Sequence, residues 1–271
     1  MTRLTFMTGL FGAVILLSLL LLALFAPQIA PGDPLQMVGR PLLTPFTDSR
    51  FPLGTTQLGR DVWAGLVHGA RVSLTVGATA AAAVIGVGIL VGTLSGFLGG
   101  FVDNILMRIT EAVQSIPAFL LALALVSVMG ASTTSVVIAI ALSSWPPSAR
   151  LVRAEVLRVR TLDYVDAARV VGRSPLAIAF LEVLPSALQP VVALIGITVC
   201  EAILVESALA FLGLSDPNLQ SWGLMVASGR ATLRVAPLLV ILPGLAIALA
   251  SLSVSVVGDA LAAWLGERRM I

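Results

Sequence analysis

The 271-residue sequence contains no lysine, one cysteine (Cys200) and one histidine (His68). Without lysine, the chain cannot build the phosphate-binding loop of P-loop ATPases, and it cannot form a lysine Schiff base. A single cysteine excludes an intrachain disulfide and a cysteine metal cluster, and a single histidine excludes a multi-histidine metal site. We therefore predict a non-catalytic chain that binds no metal and no cofactor of its own.

Charge is also scarce. Charged residues make up 11% of the chain and hydrophobic residues 58%, against about 25% and about 45–50% in an average soluble domain. A chain of this length has no aqueous core large enough for that apolar surface, so the composition predicts a membrane protein. The formal net charge of +2 is small and scattered. We therefore expect membrane lipid around the chain and no nucleic-acid partner.

Long uncharged runs divide the chain into membrane spans. A bilayer core needs about 20 apolar helical residues, and the uncharged run 112–149 is long enough for two spans separated by Gly130–Thr134. The pattern predicts an all-α polytopic membrane protein, a single domain over residues 1–271, with about six transmembrane helices. The predicted spans are 9–29, 73–98, 113–129, 135–152, 187–211 and 236–258. Between the second and third spans, the charges at Asp103, Arg108 and Glu111 predict a short polar turn.

The arginine distribution predicts the orientation, because cytoplasmic loops of membrane proteins carry an excess of positive charge. With both termini in the cytoplasm, ten of the 16 arginines fall in cytoplasmic segments. In this orientation residues 31–71 and 212–234 form outer loops. Residues 153–185 form the large cytoplasmic loop.

The cytoplasmic loop contains the signals of a helical hairpin. The segment Asp163–Val171 is compatible with a helix, and Gly172 suits its C-terminal stop. Ser174 followed by Pro175 is typical of a second helix start, and that helix is predicted to run to about Val183. The alternative is an ordinary basic loop that only sets the topology.

The same hairpin resembles the EAA loop of the permease subunits of ABC importers. The family motif reads Glu-Ala-Ala, three residues, Gly, and then Leu-Pro at the distance seen here, with aspartate replacing the usual glutamate in this chain. In the family this loop is the coupling helix, which inserts into a groove on the ATPase subunit. The resemblance assigns ATPase coupling to Asp166, Ala167, Ala168, Gly172, Leu184 and Pro185.

Further segments resemble the dipeptide/oligopeptide/nickel branch, in particular the C-type permease of its pair. They include Arg60-Asp61 before the second span, Gly99-Gly100 after it, and Glu206–Leu214 at the exit of the fifth span. The chain departs from the family pattern at Ala262-Ala263, where Arg-Asp is usual.

This resemblance implies a permease in a bacterial or archaeal cytoplasmic (inner) membrane, forming half of a path for di- or oligopeptides. The implied partners are a second homologous permease, two ATPase subunits that hold ATP and Mg, and an extracytoplasmic substrate-binding protein. The same role for nickel or another metal complex stays open. So does a proton-coupled secondary transporter, in which Glu201 and Glu206 relay protons.

The remaining candidates each have two interpretations. The glycines Gly88, Gly92, Gly96 and Gly100 recur every four residues, which favours close helix packing, either inside this chain or between subunits.

Glu201 and Glu206 fall inside a predicted span, so each is either a pathway or gating acid or a buried acid satisfied by an arginine or backbone partner. Arg60 and Asp61 either receive the binding protein or flank a plain interfacial helix.

Overall fold

The computed structural model describes residues 3–267, and the arginines at 268 and 269, counted above for orientation, lie outside that range. Within it the protein is helical and has no β-strand, only an isolated bridge between Thr55 and Asp61. The helices are α1 Arg3–Leu24, α2 Ala26–Ile29, α3 Val62–Leu98, α4 Gly100–Gln114, α5 Ala118–Met129, α6 Thr133–Ser144, α7 Pro146–Val159, α8 Asp163–Val170, α9 Pro175–Ala177, α10 Leu184–Ala187, α11 Gln189–Phe211, α12 Trp222–Gly229 and α13 Leu238–Glu267.

Four helices, α1, α3, α11 and α13, are each long and apolar enough to cross a membrane. Two further pairs of helices, α4 with α5 and α6 with α7, pass the same test together but are bent at a short break. Counting each bent pair as one span gives six spans. This confirms the predicted all-α polytopic membrane fold.

Helix α3 begins eleven residues before the predicted span. Asp61 caps its N-terminus, because the Asp61 carboxylate accepts a hydrogen bond from the backbone N–H of Trp63 at 2.9 Å. No proline interrupts the chain between this cap and Leu98, so the segment 62–71 continues directly into the span. At 37 residues, α3 is longer than the about 20 residues that a bilayer core requires.

The segment around Asp103 is a helix and not the short polar turn that was predicted. Helix α4 has 15 residues and meets α5 at an angle of 85°. The break falls at Ile116-Pro117, since a residue before proline is disfavoured in the α conformation and proline has no N–H to donate. A second bend, of 47°, separates α6 from α7 at Pro146.

Helices α3 and α7 pack with their backbones in close approach. A Cβ atom added at Gly88 would lie 2.4 Å from the Ser148 Cβ, and one added at Gly92 would lie 2.5 Å from the Ala149 carbonyl oxygen. One added at Gly96 would lie 2.9 Å from the Arg153 carbonyl oxygen. This glycine face therefore packs within the chain. Gly100 does not belong to it, because α3 ends at Leu98 and Gly100 opens α4 with a positive φ and open space around it.

The two ends of the bundle differ. One end, called here the loop end, carries the connection from α2 to α3 and the connection from α11 to α12. The other, called here the hairpin end, carries the segment from α8 to α10. Between them, one core joins α3, α5, α6 and α11 through Val84, Val126, Ile140 and Leu209, all buried.

Candidate coupling surface

The hairpin forms largely as the local sequence predicts. Gly172 has a φ of +82°, a left-handed conformation that favours glycine, and it follows α8 directly. The Ser174 side chain then accepts a hydrogen bond from the N–H of Ala177, with Pro175 at the first helical position. The second arm does not end near Val183, however. Residues Ile178–Val183 form a turn of π-helix that leads straight into α10.

One side of the hairpin is anchored in the body of the protein. Val165 of α8 is fully buried and packs with Val156 and Val159 of α7 and with Ile178 and Val183 of the second arm. Apolar side chains buried in this way each contribute about 1.5–3 kcal/mol. The hairpin is therefore fixed to α7, and a force on it reaches α7 directly.

The opposite side of the hairpin is exposed and partly apolar. Asp166 and Ala167 are exposed, while Ala168 is half-buried against the buried cluster. At the turn, Val170 is 87% exposed and Val171 is 80% exposed. These adjacent valines form a small exposed apolar patch at the turn.

The residues assigned to the end of the motif lie in the second arm. Leu184 is half-buried against the same apolar cluster that holds Val165, and Pro185 is exposed at the second position of α10. Helix α10 joins the π-helical turn to α11. Leu184 and Pro185 thus connect the exposed turn to the next membrane-spanning helix.

Polar contacts brace the two arms of the hairpin. Arg173 forms an ion pair with Glu182 across the turn. The hydroxyl of Tyr164 lies 3.3 Å from the hydroxyl of Ser186. These contacts connect α8 with the second arm of the hairpin and with α10.

Arginines from α7 and the hairpin converge on the end of α3. Arg160 donates a hydrogen bond to the carbonyl oxygen of Gly96 at 2.8 Å, which satisfies one of the carbonyls left free where a helix ends. Arg169 of α8 lies over the ring of Phe97 at 5.9 Å from the ring centroid. Such a cation–π contact is worth about 0.5–1 kcal/mol at an exposed site. The hairpin therefore contacts α3 as well as α7.

A separate ion pair connects α4 to the same region. Arg153 of α7 donates two hydrogen bonds of 2.6 Å to the carboxylate of Asp103 on α4. The hydroxyl of Ser95 on α3 also donates to that carboxylate. Asp103 thus joins α3, α4 and α7 at one point. The 50 residues between Asp103 and Arg153 follow no helical or strand spacing, and sequence reasoning missed this pair.

The two intramembrane acids occupy different environments. Glu206 is buried and accepts hydrogen bonds from the hydroxyls of Ser73, at 3.2 Å, and Ser207, at 3.3 Å. Its partners are serine hydroxyls and not the arginine or backbone group that was the expected alternative. Ser73 also accepts from the N–H of Trp222, which ties α3, α11 and α12 together. Glu201 is exposed on the side of α11.

The Arg60-Asp61 pair sits at the start of α3, at the loop end. Burial raises the pKa of the Asp61 carboxyl, which the N–H of Trp63 partly offsets. Its carboxylate is engaged in the helix cap described above. The Arg60 side chain is half-buried, and its Nε is buried without a hydrogen-bond partner among the described residues. Neither residue offers a fully exposed charge for a docking partner.

The described residues contain no group of three or more histidine, cysteine, aspartate or glutamate side chains that could hold a metal ion. The candidate site is instead an exposed hairpin, fixed by apolar packing and arginine contacts to α3 and α7.

The fold and the hairpin define a class of protein, a polytopic helical membrane protein with an exposed, partly apolar hairpin at one end. The family model for the inner membrane component of binding-protein-dependent transport systems matches residues 88–271. This match covers more than half of the chain, including the whole hairpin. The chain therefore belongs to this family of ABC-importer permeases.

Individual relatives resemble nearly the whole chain. The di/tripeptide transport system permease protein DppC of Pseudomonas aeruginosa is 39% identical over 256 residues, covering 92% of this chain and 84% of that protein. A probable peptide ABC transporter permease of Sinorhizobium fredii is 41% identical, over 93% of this chain and 86% of that protein. The glutathione transport system permease protein GsiD of Pectobacterium atrosepticum is 34% identical, over 92% of this chain and 83% of that protein.

Solved structures share the fold. Two structures of inward-facing conformations of the MetNI methionine ABC transporter match with TM-scores of 0.58 and 0.60. Both are 18% identical and cover 74% of this chain, and the match includes 96% and 95% of those chains. This likeness confirms the helical permease fold.

Proposed function

We propose that this chain forms half of the translocation path for di- or oligopeptides in an ATP-driven importer. The observation that carries the proposal is the similarity, over more than nine-tenths of the chain, to permeases named for peptide transport. A second permease would form the other half of the path. Two ATPase subunits would bind ATP and Mg, and an extracytoplasmic binding protein would deliver the substrate.

The exposed hairpin is the proposed contact with an ATPase subunit. Its turn exposes Val170 and Val171, an apolar pair that suits a groove on a protein partner. Because ATP is cytoplasmic, this assignment places the hairpin end and both termini in the cytoplasm. The loop end then faces outward, where a binding protein docks. The half-buried Arg60-Asp61 pair lies at that end, and it supports docking only through its position.

The geometry supports a direct mechanical route. Closure of the ATPase subunits on ATP would move the hairpin, which carries α7 with it through the buried cluster around Val165. Arg160 and the Arg153–Asp103 pair would pass the motion to α3 and α4. The bent connection between α4 and α5 would then reorient, and the path between the two permeases would change its accessible side.

Glu201 is our candidate for an acid that faces the path or the second permease. An ionised carboxylate at the centre of a bilayer costs about 2.5–3.5 kcal/mol on insertion scales, so an exposed Glu201 must face water or protein and not lipid. We expect Glu201→Gln to slow uptake without lowering the yield of the assembled complex. Unchanged uptake by this variant removes Glu201 from the path.

The alternatives have less support. Transport of nickel or another metal complex is implied by the wider branch, whereas two of the relatives cited above are named for peptides. Proton-coupled secondary transport requires acids that exchange protons along a route. Here Glu206 is buried among serine hydroxyls and Glu201 is exposed. Membership of a binding-protein-dependent family favours ATP as the energy source.

The proposal is tested by reconstituting the complex of both permeases and both ATPase subunits in proteoliposomes. Uptake of a radiolabelled dipeptide is measured with binding protein, with and without ATP, and with an ionophore that collapses the proton gradient. We expect uptake that requires ATP and the binding protein and that survives the ionophore. Uptake abolished by the ionophore supports the proton-coupled alternative. Uptake of a nickel complex in place of peptide supports the metal alternative.

A further inference from the structure

The exposed face of α3 differs from that of a lipid-facing helix. On α1, the exposed residues are large and apolar, such as Phe11, 66% exposed, and Leu17, 58% exposed. The exposed residues of α3 from its first turns to its middle are small or polar. They are Arg71, Thr75, Ala78, Thr79, Ala82 and Gly86. Large apolar exposure on α3 begins only at Leu90.

A face of this kind is unsuited to lipid. Transfer into the hydrocarbon of a bilayer is favourable for large apolar side chains. It is nearly neutral for alanine and glycine, and it is unfavourable for arginine. The face therefore lies toward water or toward another protein subunit. Its polar end is the end of α3 that starts at Val62, where the loops of the loop end gather.

A cavity of about 480 Å³ opens at this polar end. Its wall combines charged and polar side chains from three segments of the chain with apolar side chains of α3. The residues that matter are Asp33, His68, Arg71, Val72, Asn218 and Leu219. The volume falls within the about 300–1,000 Å³ typical of small-molecule sites.

The two opposite charges in this cavity do not neutralise each other. Among the described residues, neither Arg71 nor Asp33 forms an ion pair, although both line the same wall. One oxygen of Asp33 accepts from the N–H of Leu35, which fixes its carboxylate and leaves the other oxygen available. His68 is held by a contact of 2.9 Å between its Nε2 and the carbonyl oxygen of Ala30.

We propose that this cavity is a receiving site for the substrate, in which Arg71 pairs with the terminal carboxylate of a short peptide and Asp33 with its terminal ammonium. A guanidinium pairs with a carboxylate through two parallel hydrogen bonds. Val72 and Leu219 supply apolar contact for the peptide's side chains between the two ends. The small, polar face of α3 continues from this site toward the hairpin end. The inference rests on the proposed function and on the orientation given there.

The test uses the reconstituted complex with binding protein and a radiolabelled alanyl-phenylalanine. Arg71→Gln and Asp33→Asn are compared with the matched controls Arg50→Gln and Asp48→Asn, which alter an exposed ion pair elsewhere in the same loop region. We expect each cavity variant to lower uptake at least tenfold, with stimulation of ATP hydrolysis by loaded binding protein within twofold of wild type. Arg71→Lys, which keeps the charge, is expected to retain more uptake than Arg71→Gln.

Three other results would overturn the receiving site, and one of them would also overturn the proposed function. Cavity variants that transport like Arg50→Gln and Asp48→Asn overturn the receiving site and leave the proposed function standing. Loss of both uptake and ATPase stimulation also overturns it, because Arg71 then serves the docking of the binding protein. A wild-type complex that takes up no dipeptide contradicts the proposed function itself, and the receiving site falls with it.

Discussion

Arg153 on α7 and Asp103 on α4 form a two-point ion pair, with both hydrogen bonds at 2.6 Å. The pair is the direct polar link between the helix that carries the hairpin and the helix that is bent against α5. Because the pair is partly exposed, with 33% of the Arg153 side chain and 17% of the Asp103 side chain accessible, its strength lies below that of a fully buried pair.

Breaking this pair is expected to uncouple ATP hydrolysis from transport. In Asp103→Asn the bidentate ionic contact is lost, which weakens the contact between α4 and α7 by about 1–3 kcal/mol. Movement of α7 is then transmitted less completely to α4. We expect the ratio of peptide transported to ATP hydrolysed to fall several-fold, measured in proteoliposomes. The charge exchange Asp103→Arg with Arg153→Asp is expected to recover part of that ratio.

The control for this experiment is Arg108→Gln. Arg108 is exposed on the same helix and forms no ion pair among the described residues. A drop in coupling as large in Arg108→Gln as in Asp103→Asn would show that any charge change on α4 has this effect, and would remove the specific role of the Arg153–Asp103 pair.

The contact of α3 with α7 is expected to tolerate no side chain at Gly92. A methyl group there would lie 2.5 Å from the carbonyl oxygen of Ala149, so the helices must separate. We expect Gly92→Ala to destabilise the protein by about 1–3 kcal/mol, seen as a lower melting temperature in detergent. Gly244→Ala on α13 is the control, because nothing lies within 4 Å of the added methyl. Equal melting temperatures for the two variants would contradict the close packing.

The buried Glu206 is expected to serve stability. Glu206→Ala leaves the hydroxyls of Ser73 and Ser207 without their acceptor, and a buried polar group without a partner costs about 1–3 kcal/mol. We expect a lower melting temperature for Glu206→Ala and a smaller change for Glu206→Gln, which keeps an acceptor oxygen. Wild-type stability of Glu206→Ala, together with lost uptake, would instead point to a role in transport.

The sequence was sufficient for those features that depend on local chemistry. Uncharged runs of adequate length indicated six spans, and the Gly172 and Ser174-Pro175 signals located the turn of the hairpin. The sequence allows an interfacial helix after Arg60-Asp61 and starts the span only at residue 73, because Arg71 limits the uncharged run, whereas the structure joins both segments in α3. A helix that extends beyond the bilayer carries charge on its own turns, as α3 does.

Contacts between residues far apart in the chain could not be predicted from the sequence. The four-residue period of Gly88, Gly92 and Gly96 predicts a packing face but not its partner, since periodicity shows which residues share a face and not what covers it. The Arg153–Asp103 pair and the Glu206–Ser73 bond join residues far apart in the chain. Three charges in nine residues, from Asp103 to Glu111, predict a turn, although a helix such as α4 carries the same charges on its own turns.

The central claim is that the exposed turn of the hairpin binds an ATPase subunit, and co-purification tests it most directly. The tagged chain is expressed with the other permease and the ATPase subunits, and wild type is compared with Val170→Glu and with Val38→Glu, an exposed valine at the loop end. Because Val170 is 87% exposed, its substitution leaves the fold intact. The account predicts that wild type and Val38→Glu retain the ATPase subunits while Val170→Glu loses them. Retention of the ATPase subunits by Val170→Glu at the wild-type level would contradict it.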